Sequence, residues 1–424
     1  MNMKTALYIT ALILAILPLA AFAGAPEATS DTGGGGSDQQ LNSILEWDRA
    51  TGDWWGHRTD LEENGITFEA SIIMDWSKEL SGGIDTEGSS FRHLFDANLT
   101  VETEPLLGWE GGTFFIDFYN HHGDDGAAEL TGDLQGFCNI DADGRTQIAE
   151  LWYQQMLFEE MLRIKFGKVE ANSEFDYADN AGEFINSSAG CTPTIHVFPT
   201  YPDPSTALVV FGYPTDWFYG GFGWFDGAVN EGYNTGELGP STFFQNPGDY
   251  FLIGEAGVTW DCGDSGLAGR LAAGVWAHTG TFTEFDGSTE EGTEGFYLVL
   301  DQALWLENAG VEDDEQGLYG FMMYGYTDDQ ISEIEHHIEG GLTWTGPIPT
   351  RDDDATGLLL TYVELSDEAG AGFTEDYEMT FETFYKIQLT PYASVKPDLQ
   401  YIINPGGGGI DDALVGSLRM EVVF

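Results

Sequence analysis

The chain has 424 residues, a formal net charge of −58 and 42% hydrophobic residues. That charge leaves no basic patch to meet phosphates, which argues against nucleic acid as a partner, and the regular alternation of its apolar residues argues against disorder. Past the N-terminal segment there is no run of about 18 apolar residues, so no membrane-spanning helix is expected.

In chain order, Met1–Ala23 reads as a secretory signal peptide: Lys4, an apolar run from Ala6 to Leu19, and Ala21-Phe22-Ala23 as a small-x-small cleavage site. No cysteine follows the apolar run, which argues against a lipoprotein. Residues 24–40 are a Gly-rich flexible linker. Residues 41–64 show helical spacing at Leu41, Ile44 and Leu45 and a breaker at Gly52, predicting a short N-terminal helix and a turn. An exported chain of this kind is periplasmic, secreted or an outer-membrane barrel.

From residue 65 the period changes to two, the period of strands. Strands are predicted near 65–76, 91–103, 111–121, 145–157, 160–168, 205–212, 215–227, 249–260, 267–278, 295–305, 315–326, 332–345, 356–366, 377–390, 394–403 and 412–424. Their lengths suit a tilted bilayer crossing. In the last of them Leu414, Leu418, Met420, Val422 and Phe424 share one face, and Ser417, Arg419 and Glu421 the other. Very short connections (Met156–Glu160, Tyr213–Thr215, Asp261–Gly266, Thr390–Ser394) stand beside long ones (about 121–146, 168–205, 226–249 and 279–294). This asymmetry belongs to outer-membrane barrels more than to soluble sandwiches. The count leaves room for one strand missed or split. The fold expected is all-β: a transmembrane antiparallel barrel of about 16 strands over 65–424, preceded by a short helix.

Several stretches carry a family likeness: ATGDWWGHRTDLEENGITF, GDLQGFCNIDADGRTQIAELWYQQ, SEFDYADNAGEFINSS, EGGLTWTGPIPTRDDDATGLLLTYVELS and YKIQLTPYASVKPDLQYIINPGG. Through them the chain resembles the carbohydrate-selective porin (OprB) family from about Ala50 to Phe424. The resemblance implies a sixteen-stranded outer-membrane barrel through which sugars diffuse. The chain is more acidic than the family pattern, carries Cys138 and Cys191 where other residues are expected, and lacks the surface-layer-binding domain of some relatives.

A porin works through inward side chains. Period two places Glu69, Ser71 and Asp75 inward against Phe68, Ile72 and Met74, then Arg92, Asp96 and Asn98, and Asp117 and Tyr119. Glu150, Trp152 and Gln154 follow, with Arg163 and Lys165; on the closing side come Glu378, Glu382, Lys386, Asp398, Gln400, Arg419 and Glu421. Hydroxyl donors and acceptors beside an aromatic ring suit a weakly held sugar. The plainer alternative is that inward ion pairs stiffen the wall. Arg58 reads first as a tether between the N-terminal helix and the barrel, and second as a pore residue.

The loop over about 168–205 holds Phe184, Phe198, Tyr201, Pro202 and Pro204, which predicts an ordered loop folded into the mouth. Cys191 lies in it and Cys138 in the neighbouring outside loop, which predicts a Cys138–Cys191 disulfide, with Cys262 a free thiol in an opposite turn. Asp124, Asp125, Asp141, Asp143, Asp328 and Asp329 lack calcium-loop spacing and read as solvated surface; no metal or cofactor is expected. His121-His122 and His336-His337 read as membrane–water interface residues. No Ser–His–acid set lies on one strand face, so no enzyme is expected. Expected partners are neutral sugars, outer-membrane lipids and the barrel assembly machinery, through the strand ending in Phe424; monomer and trimer both stay open. The rival function is a general, cation-leaning porin.

Overall fold

The computed structural model describes residues 44–424 apart from 246–247, 262–266, 310 and 312–313. The expected signal peptide, the linker and Cys262 lie outside the described residues.

The period-two segments form sixteen strands. They are β1 (Ile66–Ser81), β2 (Ser90–Glu102), β3 (Gly112–Gly123), β4 (Arg145–Leu157), β5 (Leu162–Val169), β6 (Ser205–Thr215), β7 (Phe218–Asp226), β8 (Tyr250–Trp260), β9 (Gly269–Thr283), β10 (Thr289–Leu306), β11 (Gly317–Thr327), β12 (Ile334–Thr345), β13 (Ala355–Leu365), β14 (Tyr377–Thr390), β15 (Ala393–Ile403) and β16 (Ala413–Val423). Each pairs with its sequence neighbours, and β1 closes antiparallel on β16, so the sheet has no free edge. The predicted strands correspond one to one, and none is missed or split. The tightest connections, 216–217 and 391–392, follow even-numbered strands, and the longest, 124–144, 170–204 and 227–249, follow odd-numbered ones. One expectation fails: 279–294 is no loop. β9 and β10 run on as a hairpin, leaving 284–288 between them.

Ile116, Leu151, Phe166, Phe222, Val275, Leu298, Met322 and Leu358 form an exposed apolar outer face. A belt this continuous is a liability in water and is solvated by acyl chains in a bilayer. Exposed Trp109, Trp217, Trp305 and Trp344 ring the end that carries the tight turns, where indoles sit at a headgroup boundary.

Among the described residues the N-terminal helix is α1 (His57–Glu62), while Ile44–Glu46 is only a 3₁₀ turn. The helix starts there because Asp53 accepts from both the amide and the hydroxyl of Thr59, 2.9 Å each, and Gly56 supplies a left-handed N-cap at φ 91. Arg58 is buried, lies 4.3 Å over the Trp54 ring, and donates to Thr51 Oγ1 (3.1 Å) and the Phe424 carbonyl (3.2 Å). It is placed as the tether, joining α1 to the β1–β16 seam.

Candidate functional site

The interior is not an open tube. Residues 170–204 fold inward and split the wall into two arcs. Along β6–β13 the inward residues are largely apolar: Val209, Phe211, Phe225, Phe251, Ile253, Trp276, Val299, Phe321, Met323 and Leu359. The loop lays Phe175, Phe184, Ile195 and Val197 on them. Phe184 meets Phe384 edge-on at 5.1 Å and Phe321 at 5.7 Å; Phe175 lies 5.1 Å from Phe211. Wall carboxylates catch the loop's amides. Glu150 accepts from Glu170, Asp301 from Asn180, and Glu382 from both Ile185 (2.8 Å) and Asn186 (3.0 Å).

From β14 through the seam to β5 the inward face is polar. Lys396, Arg419, Asp75 and Arg92 stand directly opposite one another across β15, β16, β1 and β2. Asp75 pairs with Arg419 at 2.7 Å, and carboxylates from the loops neutralise the rest. Asp141 sits 2.5 Å from Arg92; Glu183 lies 2.6 Å from both Lys386 and Lys396. Burial pushes the Glu183 carboxyl up, but the two ammonium groups outweigh it and hold it at about 2. Glu174 bridges Arg163 and Lys165. Arg145 pairs with Asp203. Most inward cations of this arc thus clamp loop acids, while Arg419 pairs within the seam; on the other arc Arg270 of β9 meets Asp301 of β10 (3.2 Å).

A second polar row is different. Glu69, Asn98, Asp117 and Glu150 stand in register across β1–β4. The next inward row holds Thr100, Phe115 and Trp152, and Phe115 stacks on Trp152 at 4.7 Å and 19°. Lys165 Nζ lies 3.9 Å from the Trp152 ring centroid. Glu69 is exposed, and Asp96, Asn98, Phe115, Trp152, Gln154 and Arg163 are half-buried, so this side of the lumen remains accessible.

The sequence profile described as "Carbohydrate-selective porin, OprB family" matches residues 87–424. The chain belongs to the carbohydrate-selective porin family. Porin B of Pseudomonas aeruginosa is 23% identical over 88% of this chain and 90% of that protein. "Putative porin QuiX" of Acinetobacter baylyi is 22% identical over 88% and 92%. A solved structure of Pseudomonas putida OprB at high pH superposes with a TM-score of 0.78 at 20% identity, covering 89% of this chain and 99% of that one. This likeness supports the fold, and the family places the barrel in the outer membrane. The profile begins later than Ala50, so ATGDWWGHRTDLEENGITF lies outside it.

In this porin all the singled-out inward residues lie on the inner face, but they do not form one site. Arg92, Glu150, Lys165, Glu382, Lys386 and Arg419 hold loops or the seam; Asp96, Asn98, Trp152, Gln154 and Arg163 border the accessible side, with Asp117 buried behind them. The predicted disulfide is absent: Cys138 and Cys191 are free thiols. Cys138 is taken up at the seam, accepting from Arg92 Nε and donating to Asp75 Oδ2, 3.0 Å each, and burial pushes its thiol up to about 12. Cys191 lies towards the opposite wall, beside Thr192, whose hydroxyl meets His337 of β12. His121 and His337 are buried inward, not at the membrane interface. Asp141, read as solvated, is the ion-pair partner of Arg92.

Alternation alone could have found Lys396, which shares the face of Asp398 and Gln400. Arg270 carries no such signal, because both faces of β9 are rich in apolar and small residues.

Proposed function

We propose that this porin lets sugars cross the outer membrane by passive diffusion, without catalysis, along the accessible side of the lumen. Family membership carries the reading. The arrangement supports it: acceptors and donors from Glu69, Asp96, Asn98, Gln154 and Arg163 surround a stacked aromatic pair, the combination that hydroxyls and a pyranose C–H face require. The cations that pin loops are unavailable to solute; Arg163, still half-exposed beside Glu174, is the donor that remains. The chain reaches the membrane after cleavage of residues 1–23, its outer belt contacts lipid, and the β16 strand ending in Phe424 presents the signal for barrel assembly.

The experiment is single-channel conductance in a planar bilayer, titrated with neutral sugars. Saturable reduction of current is expected. Open channels that ignore sugar while remaining strongly cation-selective would instead support the general porin, a reading favoured by the carboxylates that lack cationic partners.

A further inference from the structure

The cations of the wall divide by the face they take. Each inward lysine or arginine on the strands has a carboxylate within ion-pair distance. Lys78 and Lys168 point outward, because Ser77, Lys165 and Val169 face in. Among the described residues neither has a carboxylate partner. Both lie at the end that carries the long loops, which is the extracellular end of such a barrel.

Lys168 sits in a groove of about 640 Å³ on the outside of β4–β6, roofed by residues 237–240. Its ammonium donates to the Ile148 carbonyl at 2.7 Å and to the Gly236 carbonyl, which ties the roof to the wall. Two of its three N–H donors are thereby used and one remains. Neutral carbonyls do not cancel its charge, and a half-buried charge without a counter-ion is costly. Thr146 lines the same groove and is exposed. Asn120 Nδ2 donates to Thr146 Oγ1 at 2.6 Å, which leaves the hydroxyl proton free to turn outward. Ile148 and Leu151, 48% and 55% exposed, form the apolar floor, and Leu238 and Pro240 face it from the roof. Glu237 on the rim is exposed and lies outside ion-pair distance. A cation and a hydroxyl beside an apolar floor, at a bilayer boundary, match a phosphate joined to acyl chains. The other side of the collar repels such a group, since its outward residues include the exposed Glu294 and Glu364.

We propose that this groove is a docking site for a phosphate-bearing lipid of the outer leaflet. The phosphate accepts from Lys168 Nζ and Thr146 Oγ1, and an acyl chain lies along Ile148 and Leu151. The inference fixes one place on the lipid-contacting belt and does not depend on which solute the lumen passes.

The test is native mass spectrometry of the intact porin in neutral detergent at pH 7, titrated with lipid A as the phosphorylated probe. Lys168→Gln is expected to need about tenfold more lipid A for half-occupancy. Lys168→Arg, which keeps the charge, should need about as much as the parent. Thr146→Val leaves the roof tether in place and should need about threefold more. Lys78→Gln, about 19 Å away across four strand spacings, should bind as the parent does. Heat-modifiable gel migration checks that each barrel folds. If Thr146→Val binds like the parent, any loss in Lys168→Gln reflects a loosened roof, and the proposal fails. If Lys78→Gln weakens binding as much as Lys168→Gln, the attraction is diffuse surface charge, and the proposal fails again. Dephosphorylated lipid A binding equally well would mean that the groove takes acyl chains only. Millimolar inorganic phosphate displacing lipid A completely would mean a site for the free anion. Either result overturns the lipid site while leaving sugar diffusion untouched.

Discussion

Glu183 and Phe184 are consecutive residues on the same loop, yet they dock on walls of opposite character. Phe184 packs between Phe321 of β11 and Phe384 of β14, where the apolar arc meets the polar one; Glu183 reaches the polar arc between Lys386 and Lys396. The difference shows how this barrel is narrowed without being filled. The apolar arc excludes water and fixes the loop by packing, whose strength follows buried area. The polar arc fixes it with ion pairs and carboxylate–amide bonds, which set position but leave hydrated space beside them. On the proposed reading, the path for polar solutes runs where the wall is polar and the loop is held at points, along β1–β5.

The sharpest way to break the comparison is at Phe184. It is 1% exposed, and Phe184→Ala leaves a cavity between loop and wall. A loss of about 3–5 kcal/mol is expected, read as a lower thermal midpoint in detergent, together with a larger and noisier single-channel conductance as the loop loosens. A midpoint within a degree of the parent would mean that the apolar arc does not hold the loop.

Glu183→Gln tests the other anchor. It removes two charge-assisted contacts while keeping the side chain's shape, so a loss of about 1.5–3 kcal/mol is expected. The pH sense follows from the depressed carboxyl. Its folded value, about 2, lies below the ordinary 4.5, so the contribution is fully present above the ordinary value and is lost only as pH falls through about 2. Parent and variant should therefore differ by a constant amount between pH 6 and 8. A difference that vanishes within that window would mean that the Lys–Glu–Lys clamp is not what holds this point of the loop.

The same two arcs explain what could be read from the chain. Strand number, closure and the inward set on β1–β5 and β14–β16 were legible because polar residues alternate with apolar ones there, as in Arg163-Ile164-Lys165-Phe166. On β6–β13 long stretches of both faces are apolar, one against lipid and one against the loop, so period two loses its contrast there despite isolated inward charges such as Arg270 and Asp301. Val275 faces out and Trp276 in, with nothing in Gly274-Val275-Trp276-Ala277 to say which. Loop partners were illegible for another reason. That Arg92 meets Asp141, or Lys396 meets Glu183, depends on where distant loops return inside the barrel. The disulfide expectation failed on the same point, since two cysteines in neighbouring loops approach opposite walls.

The smallest effect separates the two inward loops from each other. In the 124–144 loop, burial and then the nearby Glu378 push the Asp133 carboxyl up to about 7. That folded value lies above the ordinary carboxylate range, so the folded loop holds a proton that the unfolded chain releases. Its stability is greatest at lower pH and falls as pH rises through about 7. For one carboxyl the loss between pH 6 and 8 is about 1.4 kcal/mol, or tenfold in an opening equilibrium. Hydrogen exchange, corrected for its intrinsic base catalysis, should show amides of residues 130–141 losing about tenfold in protection over that range. The Glu183–Asn186 stretch, clamped by a carboxyl that stays ionised throughout, should lose none through this clamp. Equal pH dependence in both loops would mean that the 124–144 loop is not held by a protonated carboxyl, and that the contrast between the two modes of anchoring stops at the wall.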